Sequence, residues 1–256
     1  MFVQNSKESV DGRVFACAKE SCEKPKKSVH MDSVFMGWKL PLATLTRFIY
    51  EWAVDTDLQT IKRELGISKG AAVAFSDFLR RTVYDHVQSN ISKNKIGGVG
   101  KIVEIDETVV VRRKHNVGRR VDEQWLFGGI VRGTLGGPIE CFMELVNDRK
   151  ALSLEKIALR RIHPDSFVCR DGWKGYVRLV EFFDGGIVNH TENFVNPADR
   201  RIHMQTVESM WGQLKRFLRD KCAFKRDKLE LYINEFIFRK TYEDVFEEMF
   251  RILVKD

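Results

Sequence analysis

Residues 101–111 read KIVEIDETVVV. The stretch is rich in β-branched residues and nearly continuous in apolar character, the pattern of a central strand covered on both faces. Asp106 interrupts it, between Ile105 and the run Val109–Val111. A lone carboxylate in a buried strand is expensive unless it is paired, hydrogen-bonded or bound to a cation. For this residue alone, a salt bridge to an Arg or Lys is as good an account as a functional site.

Downstream, QWLFGGIVRG (124–133) and PIECFMELV (138–146) read as two further strands separated by the turn sequence GTLGGP. ALSLEKIALRRI (151–162) is helical and leads to SFVCRD (166–171) as a fourth strand, followed by a short helix around GYVRLVEFF (175–183) and a fifth strand, GIVNH (186–190). TVESMWGQLKRFLRD (206–220) then sets Val207, Met210, Trp211, Leu214, Phe217 and Leu218 on one helical face. The order βββαβαβα is that of an α/β, ribonuclease-H-like mixed sheet, by analogy of pattern.

Upstream, SKNKIGGVGK (92–101) is polar and Gly-rich and reads as a linker. Before it the patterns are helical. Leu42, Leu45, Phe48, Ile49, Trp52 and Ala53 follow helical spacing after Pro41, Leu58–Leu65 stops at Gly66, and Ser68 can cap a helix through Phe75, Phe78, Leu79 and Val83. Helix, Gly turn, helix outlines a helix-turn-helix or a plain helical hairpin. The expected layout is 1–36 as a remnant segment, 37–95 as a small helical domain, 96–222 as the mixed-sheet domain and 223–256 as a helical extension.

Two more acids stand out beside Asp106. Asp171 closes the fourth strand before Gly172, where a turn-forming acid is common, and Glu208 opens the last amphipathic helix two residues after Thr206, a candidate cap. On this sheet order the first and fourth strands can be neighbours, so the three acids can converge at one edge. Three crowded carboxylates raise one another's pKa unless a cation neutralises them, and hard oxygen-liganded ions, Mg²⁺ or Mn²⁺, suit such a site. Two ions there imply in-line phosphoryl transfer.

Basic residues flank these acids. VRRKHNVGRRV (111–121) carries five Lys or Arg and no acid: Arg112, Arg113, Lys114, Arg119 and Arg120. The last helix adds Lys215, Arg216 and Arg219, and Lys215 lies seven residues beyond Glu208, on nearly the same face. Such runs are solvated faces in most proteins; beside a metal centre they suit a phosphate backbone. Trp173 and Trp211 read as core rather than base-stacking residues.

The 256 residues are 43% apolar and 31% charged, with a net charge of +7, enough for a sizeable core and in keeping with a polyanionic partner. Five cysteines, Cys17, Cys22, Cys141, Cys169 and Cys222, do not resemble a secreted disulfide framework. Neither a signal peptide nor a membrane-spanning stretch is evident.

The strings VEIDETVVVRRKHNVGR, QWLFGGIVRG, FMELVNDR, RDGWKGY, VNHTENFVNP and HMQTVESMWGQLKRFLR, covering most of residues 103–219, resemble the DDE transposases of the Merlin group and their bacterial insertion-sequence relatives of the ISXO type. The resemblance implies that Asp106, Asp171 and Glu208 are the catalytic, metal-binding triad, with Glu208 37 residues after Asp171, and that Lys215 is the basic residue such enzymes carry seven places later. It implies Mg²⁺ or Mn²⁺ as two ions, double-stranded DNA at terminal inverted repeats and target sites as partner, and a homo-oligomer in the synaptic complex. His190 and His203 fall in its motif loops, as DNA contacts or as satisfied loop residues.

Relatives also begin with a zinc ribbon, of which FACAKESCEKPKKSVHMDSVF looks like the second half. Cys17 and Cys22 remain, with His30 as a speculative third ligand, but no earlier Cys pair precedes them. A closed structural site needs four ligands, so tight zinc binding is not expected, and a truncated copy or a gene model lacking its first exon would account for the missing pair. The functional expectation is a transposase, nuclear in a eukaryote and in the nucleoid of a bacterium. Its alternatives are a domesticated DNA-binding derivative without strand transfer and a nuclease of the same fold.

Overall fold

The computed structural model describes residues 1–19, 26–111, 123–133, 139–188, 199–221 and 226–255. Two compact units emerge: Met1–Thr82 with Asp244–Asp256, and Val83–Glu243.

In the first unit, β1 (Phe2–Asn5), β2 (Arg13–Ala16) and β3 (Lys26–Ser28) form an antiparallel sheet in the order β1-β2-β3. This sheet departs from the helical pattern expected of the first half. Its strands are only three or four residues long, and the alternation that marks them is confined to β2, where Val14 and Ala16 are buried and Arg13 and Phe15 are not. Helices α1 (Leu42–Ala53) and α2 (Leu58–Leu65) follow, then α3 (Lys69–His86), which begins in this unit and ends in the other. The Asp57 carboxylate accepts the Gln59 and Thr60 N–H groups to start α2, and Gly66, at φ +62°, ends it in the left-handed region that favours glycine. Ser68 Oγ accepts the Ala71 N–H at 3.1 Å, so the capping read from the sequence is present. Leu45, Phe48, Ile49, Trp52, Ile61, Phe75 and Leu79 are the buried centre, with the Phe48 and Phe75 rings edge to face at 5.0 Å. The last helix, numbered α7 in chain order (Val245–Lys255), packs against α1.

The second unit is built on a five-stranded mixed sheet of β4 (Ile102–Val111), β5 (Gln124–Val131), β6 (Cys141–Val146), β7 (Phe167–Asp171) and β8 (Gly185–Val188). Their order is β6-β5-β4-β7-β8. Strand β5 runs antiparallel to both β4 and β6, while β7 runs parallel to β4 and β8 parallel to β7. The strand quoted first is therefore the middle of the sheet, as its continuous apolar character requires.

Side chains of β4 alternate between two faces. Val103 and Ile105 join Phe127, Phe142, Leu154, Ala158, Val168, Tyr176 and Leu179 in a core covered by α4 (Ala151–Arg161) and a 3₁₀ stretch, Lys174–Glu181. Glu104 and Asp106 point the other way, toward α5 (Gln205–Asp220), and α6 (Leu229–Thr241) packs beside α5 and β6. Gly128 on β5 permits the close approach of α5. A Cβ there would lie 2.5 Å from the Trp211 ring and 2.7 Å from the Phe142 carbonyl oxygen. No helix among the described residues is long and apolar enough to cross a membrane.

Candidate active site

Strand β4 carries three acids, Glu104 and Asp106 on the face toward α5 and Glu107 on the core face, each held by different partners. Parallel pairing of β4 with β7 sets Ile102 opposite Phe167 and Glu104 opposite Cys169. Carried two residues further, that register brings Asp171 beside Asp106 on the same face. The two interact electrostatically. Asp106 Oδ2 accepts the Trp211 Nε1–H at 3.0 Å, and Asp171 Oδ1 accepts the Trp173 N–H at 3.1 Å, closing the turn after β7. Burial first, then the neighbouring Glu107, push the Asp106 carboxyl from its ordinary 3.8 up to about 7, and Asp171 adds to the rise. The Glu107 N–H and the Trp211 indole act in the opposite sense.

Glu107, on the core face, accepts both Nε–H and an Nη–H of Arg149, at 3.0 and 2.8 Å, and the Tyr176 hydroxyl donates to its other oxygen. The Arg149 guanidinium lies between the Trp125 and Trp173 rings, 4.1 and 4.4 Å from their centroids. Burial, then the charge of Glu107, raise the Tyr176 hydroxyl well above its ordinary 10.0, so it stays a donor. Gly175 is required beside this stack, because a Cβ there would fall within 1.8 Å of the Trp173 ring.

Glu208 is exposed in the first turn of α5, three residues before Trp211 and so on a neighbouring position of the helix surface. Gly212, Lys215 and Arg219 continue the same exposed stripe, with Arg216 at its side. Among the described residues no group of three or more His, Cys, Asp or Glu is placed to hold a metal ion. Asp106 and Asp171 are thus together, and Glu208 stands at the start of the helix that packs over Asp106.

Arg112, Arg113, Lys114, Arg119, Arg120, Cys22 and His190 lie outside the described residues. Cys17 is half-buried just beyond β2, and His30 Nε2 sits 2.8 Å from Asp11 Oδ2. His203 Nδ1 lies 3.3 Å from Glu104 Oε1. Thr206 is not the cap expected of it: α5 starts at Gln205, and both the N–H and the hydroxyl of Thr206 donate to Glu104. Trp211 is buried as expected, yet it also holds a candidate acid.

Glu104, Glu107 and Arg149 were missed by sequence reasoning. The available signal was the presence of three acids, not one, in a strand that reads as buried on both faces.

A mixed α/β unit with paired carboxylates on adjacent parallel strands is the class of scaffold these elements define. The chain belongs to the family described as the ISXO2-like transposase domain, whose model matches residues 84–241, well over half of the sequence. That stretch is nearly the whole second unit, Val83–Glu243. No curated protein matches the chain. Among solved structures it aligns with a pre-cleavage Mos1 transpososome at 10% identity, over 82% of this chain and 77% of that one, with a TM-score of 0.24. It also aligns with the Mos1 strand transfer complex at 13% identity, over 83% and 77%, with a TM-score of 0.23. Identities and TM-scores this low leave the assignment with the family match.

Proposed function

We propose that this chain is a metal-dependent DDE-type transposase that binds terminal inverted repeats, cleaves a strand and joins the freed 3′ end to target DNA. The observation that carries the reading is the meeting of Asp106 and Asp171 on neighbouring parallel strands, inside the stretch that matches a transposase family. Three antiparallel strands followed by two parallel ones about a central β4 suit a ribonuclease-H-like fold, in which Glu208 supplies the third acid.

The donor set fits a hard cation. It consists of carboxylate oxygens, and burial first, then the charges of Glu107 and Asp171, push the Asp106 carboxyl up to about 7. Asp106, Asp171 and Glu208 are the residues that would hold Mg²⁺ or Mn²⁺, as two ions. Bound there, the metal supplies Lewis-acid activation of a water or 3′ hydroxyl and charge stabilisation at the departing phosphodiester oxygen.

The chain's own residues orient and bind. The Trp211 indole fixes the Asp106 carboxylate, and the turn closed by Trp173 N–H fixes Asp171. Lys215, Arg216 and Arg219, exposed on α5, bind backbone phosphates, joined in this reading by Arg112, Arg113, Lys114, Arg119 and Arg120. In residues 37–95, α2, the Gly66 turn and α3 act as a helix-turn-helix, with Lys69, Val73 and Arg81 on the exposed side of α3. Residues 1–36 are read as the ribbon remnant and 223–256 as the helical extension of a chain that synapses as a homo-oligomer.

The second reading is a DNA-binding derivative without strand transfer. It is favoured by the lack of a three-residue metal-holding set among the described residues. Nicking of DNA that carries the inverted repeats flanking the gene, in Mg²⁺, separates the two. Asp106→Asn, Asp171→Asn and Glu208→Gln are each expected to abolish nicking and keep DNA binding. Cleavage retained by any of them removes that residue from the mechanism, and DNA binding without cleavage by the wild-type chain favours the derivative.

A further inference from the structure

The first N–H groups of a helix lack intrahelical partners, and the residue before α5, Met204, supplies no side-chain cap. Glu104, about a hundred residues earlier, takes that place. Its Oε2 accepts the N–H of Thr206 at 2.8 Å and of Val207 at 2.9 Å, and its Oε1 accepts the Thr206 hydroxyl at 2.9 Å. The Glu104 side chain is fully buried, and an anion at this end of the helix also complements the helix dipole.

Arg132 completes the cluster. Its Nε–H donates to Glu104 Oε1 at 2.5 Å, and its Nη groups donate to the Arg201 carbonyl, to the His203 carbonyl at 2.8 Å and to Cys169 Sγ at 3.7 Å. The contacts fall in a pattern. Glu104 lies two residues before Asp106 on β4, Cys169 two residues before Asp171 on β7, and Thr206 two residues before Glu208 on α5. One ion pair, buried at its Glu104 end, therefore ties together the three elements that carry the candidate acids, each at the same remove from its acid.

We propose that Glu104, braced by Arg132, is the positioning residue of this site: it pins the first turn of α5 to β4 and thereby sets where Glu208 stands relative to Asp106 and Asp171. Trp211 holds the next turn of α5 onto Asp106, so Glu208 lies between two tethers, and the Glu104 tether is the one at its N-terminal side. The inference rests on the metal-dependent reading of the three acids. It assigns Glu104 no contact with metal or DNA.

The test uses the full chain with Mn²⁺ alone as probe, free Mn²⁺ being followed by electron paramagnetic resonance, together with amide hydrogen exchange at Thr206 and Val207. In Glu104→Gln, which keeps the shape and loses the charge, Mn²⁺ affinity is expected to fall about 10- to 100-fold, the range for outer partners of metal ligands. Both amides are expected to exchange faster, and nicking to recover at raised Mn²⁺. Wild-type Mn²⁺ affinity in Glu104→Gln, with Asp106→Asn weakened, overturns the role of Glu104 while leaving the metal reading intact. Equal Mn²⁺ binding by wild type and Asp106→Asn removes the metal reading, and this proposal with it. If Glu104→Gln does not fold, Thr206→Val, which deletes only the hydroxyl donor, carries the test: a several-fold loss of Mn²⁺ affinity supports the proposal and an unchanged affinity overturns it.

Discussion

Replacing Asp106 by Asn is expected to stabilise the metal-free chain, and by more as the pH rises. The folded carboxyl holds its proton up to about pH 7, whereas an unfolded one releases it near 3.8. Between those values the folded state binds more protons, so ionising Asp106 makes the wild-type fold progressively less stable as pH increases through that window. At 1.36 kcal/mol per pH unit, the gap amounts to about 4 kcal/mol above pH 7, about 2 kcal/mol at pH 5 and nothing below the unfolded pKa. Asn has nearly the same shape, still accepts the Trp211 N–H and carries no charge to bury. Thermal unfolding in EDTA at pH 5 and pH 8 reads the difference. With a shift of about 2–4 °C per kcal/mol for a unit of this size, the Asn variant is expected to melt roughly 10 °C above wild type at pH 8 and less than half as far above it at pH 5. A variant no more stable than wild type at pH 8, or equally favoured at both pH values, refutes the account of Asp106 as a buried carboxyl crowded by its neighbours.

Three further outcomes follow from the same contacts. Arg149→Ala leaves the buried Glu107 without its guanidinium and empties the space between two tryptophans, a loss of about 2–3 kcal/mol in denaturant unfolding accompanied by a change in tryptophan emission; unaltered stability refutes the stack. Gly128→Ala drives a methyl into the Trp211 ring and the Phe142 carbonyl, and is expected to destabilise by about 1–3 kcal/mol; a neutral substitution means α5 does not sit as close to β5 as described. Lys215→Ala and Arg219→Ala are each expected to lower the slope of log binding constant against log salt by about one, equally on all DNA sequences, and an unchanged slope takes the residue off the phosphate backbone.

What the sequence revealed and what it hid divide along the range of the interactions. Helices α2 and α3 were legible because their signals, Gly66 and Ser68, act within four residues of where they stand, although the Asp57 cap of α2 went unread. The central place of β4 was legible from continuous apolar character, and the approach of Asp171 from strand order. The sheet β1–β3 was not, since strands of three or four residues with one buried face in β2 leave too little periodicity to detect. Glu104 was passed over because its partners, Thr206 and Val207, lie a hundred residues away, and Arg149 because nothing in its neighbourhood announces two tryptophans closing on it from different strands and turns. Thr206 had the composition of a cap, but the helix began one residue earlier and its groups turned to a carboxylate supplied from outside.

The acids of β4 have a bearing on how the chain is made. Glu104 waits for Thr206 and Val207, Asp106 for Trp211, and Glu107 for Arg149 and Tyr176, all of them later in the chain. A ribosome emitting this polypeptide from its amino terminus releases the middle of the sheet about a hundred residues before the α5 groups that receive Glu104 and Asp106. Long-range closure of this kind slows folding and extends the exposure of unpaired strand edges. The same carboxylates, repelling one another and any second copy of the nascent strand, guard that interval against premature pairing.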